Sequence, residues 1–290
     1  TPGHPEIDLD RGVENTSGPL GLGHAFGAGS AVTERFLRAR FGDWTEHSTY
    51  IYISDGGIQE EISQGVGRIA GHLGLGNIVM FYDANDIQLS TVVDKVTDED
   101  TAKKYESWGW HVITIDGNDH AQIRKALDTS LENNEKPSLI IGKTTMGLGA
   151  VTVDGISHEG KVNTHGQPLS KTEADIDATI KNLGGDTEQP YAVFAEVEDF
   201  YKNVLEEKRE LSARRKAKYE MWAAENTKMN EQLMDQLSGK RAALKWSEID
   251  QKSDVATRVS SGTVLSWLAD NTDNMIVGSA DLSNSDKTEA

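Results

Sequence analysis

The chain has 290 residues, of which 47 are acidic and 29 are basic, and its net charge is −18. This acidity argues against nucleic acid as a partner, because the phosphate backbone requires basic patches. The absence of cysteine excludes disulfides, thiolate metal sites and a thiol nucleophile. The sequence shows no uninterrupted apolar run long enough for a membrane span and no signal peptide at its start, so we expect a cytoplasmic protein without a membrane partner.

The first predicted elements are a glycine-rich helix at residues 18–38 and a strand at residues 49–54. The strand ends at Asp55, which two glycines follow. An Asp-Gly pair often closes a hairpin. However, the next apolar residues recur at helical intervals, which predicts a helix at 58–73 with one apolar face packed on the sheet. These apolar residues are Ile58, Ile62, Val66, Ile69 and Leu73.

A second apolar run, "NIVMFYDAND", predicts a strand at 78–83 that is buried on both faces. Strands and helices then alternate along the chain. The further predicted strands are 110–115 and 138–143, and the further predicted helices are 100–107 and 119–132. Alternation of this kind indicates an α/β fold with an open, mostly parallel sheet and helices on both faces.

The chain changes in composition after its first 190 residues. Residues 144–170 form a glycine-rich loop region, and residues 191–253 are rich in Glu, Lys, Arg and Ala, which predicts a connector of long, exposed helices. Residues 254–290 become globular again, with a predicted helix at 254–270 and a predicted strand at 274–279. We therefore expect a domain at 1–190, a helical connector, and the start of a second α/β domain. The polar ends suggest a segment of a longer enzyme.

Polar side chains follow the first two predicted strands. Asp55 follows the first strand, and Asp83, Asn85 and Asp86 follow the second. Ligands of open parallel sheets bind beyond the carboxyl ends of the strands, where these side chains would lie together. The helix that begins after Gly57 would direct free N–H groups to the same place. Oxygen ligands beside an anion-binding helix start favour a phosphate group held with Mg²⁺ or Ca²⁺.

Two rival phosphate-binding motifs are rejected. "GKTT" at 142–145 lacks the glycine that a P-loop requires, because residue 137 is proline. "GLGHAFG" at 21–27 has no preceding strand and the wrong glycine spacing for a dinucleotide loop. Among the histidines, His72 and His111 lie in predicted regular elements and indicate structural or solvated roles. His4 and His165 lie in loops rich in glycine and proline, where side chains more often contact ligands.

Asp55 and Asn85, thirty residues apart, resemble the thiamine-diphosphate signature Gly-Asp-Gly…Asn, with Ser54 in place of the first glycine. We expect Ser54 to be extended, with φ below zero. Longer segments occur in order along the chain and resemble the transketolase family across essentially its whole length. They include "TPGHPE" (1–6), "GVENTSGPLGLG" (12–23), "SDGGIQEEIS" (54–63), "FYDANDI" (81–87), "THGQPL" (164–169) and "GSADLSNS" (278–285).

The resemblance implies roles for individual residues. Asp55 and Asn85 would bind Mg²⁺ or Ca²⁺ through their side chains, and Ile87 would bind it through its carbonyl. His4, His165 and Glu60 are the candidate catalytic residues; Glu60 matches an interface glutamate and should be shielded by a partner subunit. The candidate cofactor-binding residues are Gly18, Pro19, Leu20, Gly56, Asn85, Asp281 and Leu282, and those for the sugar phosphate are His4, Arg258 and Ser285.

The resemblance also implies an activity: transfer of a two-carbon ketol unit from a ketose phosphate to an aldose phosphate, in the pentose phosphate pathway. It implies thiamine diphosphate as cofactor and a homodimer with shared active sites. In these terms, residues 1–190 would bind the diphosphate and residues 254–290 would begin the pyrimidine-binding domain. A non-catalytic cofactor-binding or assembly module remains the alternative. Deoxyxylulose-phosphate synthase and the first pyruvate dehydrogenase component rank lower, because they lack "TPGHPE" together with "SADLSNS".

Overall fold

The computed structural model describes residues 3–240 and 243–289, so Thr1 and Pro2 of the "TPGHPE" segment lie outside the described residues. The chain divides into two compact units, residues 1–208 and 209–290. In the described part, no helix is both long enough and apolar enough to cross a membrane.

The first unit is built on a sheet of four parallel strands in the order β1-β2-β4-β3. The strands are β1 (Thr49–Ser54), β2 (Ile78–Ala84), β3 (His111–Asp116) and β4 (Ser138–Lys143). Each lies within one residue of its predicted position, and the predicted parallel α/β fold is confirmed. Apolar runs without alternation form the two central strands, β2 and β4, because both of their faces are covered. In β1, the exposed residues Tyr50 and Tyr52 alternate with buried isoleucines.

Along the chain, helices precede the first strand, connect the strands and come after the last strand. In the first unit they are α1 (Leu22–Phe41), α2 (Asp55–Gln59), α3 (Glu61–His72), α4 (Thr101–Ser107), α5 (His120–Glu132) and α6 (Ile176–Asn182). Side-chain caps begin three of them: Asp100 accepts the amide of Lys103 before α4, Asp119 accepts the amides of Ala121 and Gln122 before α5, and Asp175 accepts the amide of Ala178 before α6. Such caps satisfy amides that have no partner within the helix.

The core lies on both faces of the sheet. On one face, β1, β2 and β4 pack against α1, α3 and α4 around fully buried residues such as Met80, Tyr105 and Leu139. On the other face, α5 covers Val79 and Ile140. A Cβ atom added to Gly27 of α1 would lie only 2.5 Å from the Ile51 side chain. The predicted close packing of this glycine-rich helix is therefore confirmed, although α1 begins at Leu22 and not at Gly18.

The predicted helix at 58–73 and its packing are corrected. The chain forms two helices, α2 and α3, separated by extended Glu60. Ile58 is buried, but Ile62, Ile69 and Leu73 are 42%, 59% and 47% exposed. The buried residues of α3 are Ser63, Gly67 and Ala70. Small residues face inward because large rings lie there: the indole nitrogen of Trp110 donates to the Gly67 carbonyl at 2.8 Å.

The second unit is helical in its described part. Helix α7 (Ala195–Glu225) contains the division between the units, and α8 (Thr227–Leu237), α9 (Thr257–Asn271) and α10 (Ser283–Asp286) follow. The predicted long, exposed helices are confirmed, because no described residue of α7 is buried. The predicted strand at 274–279 is wrong: this segment is irregular, with Ile276 62% exposed. A strand requires a neighbour for its hydrogen bonds, and the described residues of this unit supply none.

Candidate functional site

The predicted meeting point at the carboxyl edge of the sheet is confirmed for β1 and β2. These strands are adjacent and parallel, and Ser54 at the end of β1 pairs with Asp83 near the end of β2. Asp55 and Asn85 follow on neighbouring strands. Ser54 is extended with φ −106°, as predicted, so serine in this position carries no left-handed strain.

Asp55 is an almost fully buried carboxylate at this edge, with 1% of its surface exposed. The Tyr82 hydroxyl donates to its Oδ1 at 2.5 Å. The backbone amides of Asn85 and Asp86 donate to its Oδ2 at 3.1 and 3.0 Å. Three donors therefore hold both carboxylate oxygens, with two on Oδ2 and one on Oδ1, so Oδ1 keeps a second acceptor position. This arrangement leaves room for a cation in the coordination of Asp55.

Opposing effects act on the charge of Asp55. Burial raises the pKa of Asp55, the hydrogen bonds from Tyr82 and the two amides act against it, and the nearby Asp86 charge adds to the increase. Burial also raises the pKa of Tyr82, and the bond to Asp55 raises it further, so the phenol remains a proton donor at neutral pH. A cation beside Asp55 would offset the cost of a buried carboxylate.

Asn85 and Ile87 form the turn that follows β2. The Asn85 side-chain oxygen accepts the Ile87 amide at 3.0 Å, and its nitrogen lies 3.4 Å from Asp83 Oδ1. Asp86 has φ +63°, a left-handed conformation that reverses the chain and brings its amide to Asp55. Ile87 is 6% exposed. A carboxylate, an amide oxygen and a backbone carbonyl are all hard ligands of the kind that Mg²⁺ and Ca²⁺ prefer.

These groups fit a divalent cation by the chemistry of their oxygens. In the described part of the chain, no three His, Cys, Asp or Glu side chains converge as a metal-binding cluster. The Asp55–Asn85–Ile87 set contains one carboxylate and two neutral oxygens, so it belongs to a different class of site. Mg²⁺ commonly binds through one or two carboxylates and completes its coordination with water and substrate phosphates.

The loop before α1 lies against the same edge. The ring of exposed His4 lies 3.3 Å from the position that a Cβ atom on Gly18 would occupy. The Leu20 side chain lies 3.3 Å from the corresponding position on Gly56. The predicted residues His4, Gly18, Leu20 and Gly56 are therefore brought together, with Pro19 exposed between them. Glycine at 18 and 56 allows the His4 ring and the Leu20 side chain to approach the backbone more closely than a Cβ atom would permit.

His165 lies in a second loop that reaches the segment after β2. Its Nδ1 atom is buried and has no hydrogen-bond partner among the described residues. The neighbouring Gly166 packs against Leu89, since a Cβ atom on this glycine would lie 2.9 Å from the leucine side chain. A buried nitrogen without a partner is costly. A ligand group in this region would satisfy His165.

Glu60 does not lie within a helix, although the predicted helix at 58–73 includes it. It is the extended residue between α2 and α3, with ψ 138°, and its side chain is exposed in the single chain. It lies close to the loop before α1, since its Cβ is 3.1 Å from the position of a Cβ on Gly21. The break at Glu60 separates the first turn after Ser54 from α3.

Four predicted residues lie in the second unit. Arg258 is exposed in the first turn of α9, and Ser285 is exposed in α10. Asp281 and Leu282 form the turn before α10, where Asp281 is left-handed with φ +63° and Leu282 is 56% exposed. Their predicted roles remain predictions.

The hydroxyl group that orients the Asp55 carboxylate was not predicted from the sequence. Tyr82 donates to Asp55, as described above. Asp83 accepts the hydroxyl of Tyr52 at 2.7 Å and also that of Thr144. The available signal was a tyrosine in a strand predicted to be buried on both faces, because a buried phenol usually finds a hydrogen-bond partner.

Comparisons with known proteins identify similar chains. Residues 1–242 match the family described as "Transketolase, thiamine diphosphate binding domain". The chain is 37% identical to "Transketolase 2" of Xanthobacter flavus over 99% of its own length and 42% of that protein. It is 33% identical to "Transketolase" of Bacillus subtilis over 99% of its length and 44% of the relative.

Solved structures give the same result. Transketolase from Leishmania mexicana superposes with a TM-score of 0.89 at 31% identity, covering 99% of this chain and 43% of that one. A Pichia stipitis transketolase described as a complex with sedoheptulose 7-phosphate gives 0.84 at 29% identity, over 95% of this chain and 41% of that one. The chain thus spans less than half the length of the proteins it matches.

Proposed function

Since this chain belongs to the transketolase family, whose thiamine-diphosphate-binding domain it matches over residues 1–242, we propose that it contributes the diphosphate and metal site of a transketolase. The proposed reaction transfers a two-carbon ketol unit from a ketose phosphate to an aldose phosphate, in the pentose phosphate pathway of the cytoplasm. Residues 1–190 would bind the diphosphate, 191–253 would connect, and 254–290 would begin the pyrimidine-binding domain.

One observation carries the proposal: a nearly fully buried carboxylate, Asp55, is fixed by three hydrogen bonds at the end of β1, beside Asn85. A buried charge is unfavourable unless it is paired or neutralised. A divalent cation that also binds the cofactor diphosphate would supply the missing charge. Asp55, Asn85 and the Ile87 carbonyl would hold this cation, and the Gly56 backbone would face the diphosphate.

The other residues at this edge have positioning and proton-handling roles in the proposal. When bound, thiamine diphosphate supplies a carbanion at its thiazolium ring, a species that protein side chains do not provide. Gly18, Pro19 and Leu20 would line the cofactor rings and exclude water. His4 would hydrogen-bond a hydroxyl of the ketose. The Nδ1 atom of His165, which has no partner among the described residues, would exchange a proton with an oxygen near the diphosphate.

Sugar phosphates are the proposed substrates. The Pichia stipitis relatives are described as complexes with sedoheptulose 7-phosphate and with fructose 6-phosphate, which supports this class of substrate for the present chain. Arg258 and Ser285 would hold the substrate phosphate, and Asp281 and Leu282 would lie near a cofactor. A guanidinium group and a hydroxyl are suitable phosphate donors.

The test is cofactor binding to the full-length protein with and without Mg²⁺. In the variant Asp55→Ala, we expect thiamine diphosphate to bind at least about a hundredfold more weakly, because a charged ligand of the cation is lost. The matched control is Asp116→Ala, which removes an exposed carboxylate from the end of the edge strand β3. Wild-type affinity in Asp55→Ala would refute the metal assignment. Binding without ketol transfer would favour the cofactor-binding module.

A homodimer with shared active sites is the proposed assembly. Helix α3 and its C-cap support this assembly, because Ile62 and Ile69 of the helix and Leu73 at the cap are exposed in the single chain, while the small residues of α3 face the core. An exposed apolar stripe of this kind is typical of a protein–protein contact. Glu60 stands at the start of the stripe, where a partner subunit would shield it.

Sedimentation of the full-length protein tests this assembly. We expect Ile69→Lys to shift the protein from dimer to monomer, because a charge would replace an apolar contact. Leu131→Lys, on the solvent-facing side of α5, is the control for the same change, since Leu131 is 50% exposed. Glu60→Ala should weaken dimerisation or slow cofactor activation while Mg²⁺ binding persists. A fully active dimer in both Glu60→Ala and Ile69→Lys would contradict the proposed interface.

A further inference from the structure

We propose that Tyr82 is a positioning residue for the metal site: its hydroxyl sets the orientation in which the Asp55 carboxylate meets the cation. The inference rests on the proposed function, which assigns Asp55 as a metal ligand. Tyr82 itself lies behind the carboxylate and would contact neither metal nor cofactor.

Different donors hold the two oxygens of the Asp55 carboxylate. The amides of Asn85 and Asp86 both donate to Oδ2, so these backbone bonds fix one oxygen only. The Tyr82 hydroxyl is the donor to Oδ1, at 2.5 Å. Without it, only Oδ2 would be held, and the carboxylate would pivot about that anchored oxygen, which would move Oδ1. Loss of one hydroxyl would therefore change the direction of the acceptor position of Oδ1.

The surroundings of Tyr82 make it a rigid support. It is 6% exposed and packs in the main core cluster, between neighbouring strands of the sheet. It lies in β2 opposite Ile53 of β1, one residue before the Ser54–Asp83 pair. Asp55 begins the next element after β1. The Tyr82 phenol thus extends from β2 to Asp55, the residue that follows the adjacent strand β1. The register of β1 and β2 sets the distance between the two side chains.

A second tyrosine–aspartate pair crosses the same two strands in the opposite direction. The Tyr52 hydroxyl of β1 donates to Asp83 Oδ2 of β2 at 2.7 Å. Side chains alternate between sheet faces along a strand, so this pair lies on the other face from Tyr82. Tyr52 is 70% exposed, and its ring stacks on Phe81. Tyr52→Phe is therefore a matched control that removes the same group at the same edge.

Residues that orient metal ligands usually change metal affinity by about ten- to a hundredfold when they are mutated. The effect should depend on the ion. Mg²⁺ requires nearly ideal octahedral geometry, whereas Ca²⁺ accepts varied angles and more ligands. A misdirected Asp55 should therefore weaken Mg²⁺ more than Ca²⁺. A general loosening of the fold would weaken both ions alike, which distinguishes positioning from a structural role.

The experiment is calorimetric titration of the full-length protein with thiamine diphosphate at stepped concentrations of Mg²⁺ or Ca²⁺. For Tyr82→Phe we expect the Mg²⁺ concentration at half-maximal binding to rise about ten- to a hundredfold. The corresponding rise for Ca²⁺ should be smaller, and cofactor affinity should recover at saturating Mg²⁺. Tyr52→Phe should behave as the wild type. Circular dichroism without metal should give similar unfolding temperatures for wild type and Tyr82→Phe.

Three results would overturn the inference: wild-type Mg²⁺ dependence in Tyr82→Phe, equal losses for Mg²⁺ and Ca²⁺, or a loss of affinity that accompanies unfolding of the metal-free variant. Failure of the proposed function is distinguishable from these results. In that case the wild type itself would show no Mg²⁺-dependent binding of thiamine diphosphate.

Discussion

Replacement of His24 should remove a large part of the acid sensitivity of the fold. His24 lies in α1 with 2% of its surface exposed, and its ring meets Trp110 edge-on at 6.2 Å. Neither ring nitrogen has a hydrogen-bond partner among the described residues. Burial lowers the pKa of His24 from 6.5 to about 4. The neutral imidazole is therefore the form that the core accepts.

The direction in which the unfolding free energy changes with pH follows from proton binding. Below about pH 6.5 the unfolded chain binds a proton at His24 that the folded chain does not bind, so the free energy of unfolding decreases as the pH falls towards 4. The difference of about 2.5 pKa units corresponds to a full loss of about 3 kcal/mol, of which about 2 kcal/mol is lost at pH 5 relative to pH 8.

Urea unfolding at pH 8, 6 and 5 measures this effect. In His24→Leu we expect the decrease in unfolding free energy between pH 8 and pH 5 to be smaller than in the wild type by about 2 kcal/mol. His72→Leu, which replaces an exposed histidine of α3, is the control for loss of an imidazole. The same decrease in His24→Leu and wild type would refute the reasoning.

Two further predictions concern packing. Gly21→Ala should lower the unfolding free energy by at least about 2 kcal/mol, because Gly21 has φ +81° and a Cβ atom would lie 2.5 Å from Ile62. At Gly29, nothing lies within 4 Å of the position of a Cβ atom, so Gly29→Ala should be neutral or stabilising by up to about 1 kcal/mol. Urea titration of both variants compares them, and equal effects would contradict the argument. Leu139→Ala, at a fully buried position of β4, should cost about 2–5 kcal/mol by the same measurement. A cost below about 1 kcal/mol would mean that the site collapses around the smaller side chain.

The α/β fold could be predicted because its signals are local. Strand β4 follows from one continuous apolar run, and α5 begins where Asp119 caps it. The edge that joins Asp55 to Asn85 also follows from the sequence, since parallel neighbouring strands place their carboxyl ends together. The family resemblance then supplied roles for these residues that spacing alone does not give.

Tertiary contacts decided the remainder. Apolar spacing predicted one helix with its large side chains inward, yet Ile69 is exposed and Gly67 is buried, because the rings of Trp108 and Trp110 already fill the space beneath α3. Helix periodicity cannot detect the single extended residue Glu60. Likewise, 274–279 has the composition of a strand, but hydrogen bonds from a neighbouring strand are what make a strand.

The amino-acid sequence by itself determined the positions of the strands, their parallel direction and the carboxylate at the end of β1. Each of these depends on residues that are close together in the chain. Only the tertiary structure decided which hydroxyl orients that carboxylate. Tyr82 and Asp55 are 27 residues apart, and they meet because the β1–β2 register places the end of one strand beside the phenol of the other. Register is a property of paired strands, and a single strand sequence does not contain it.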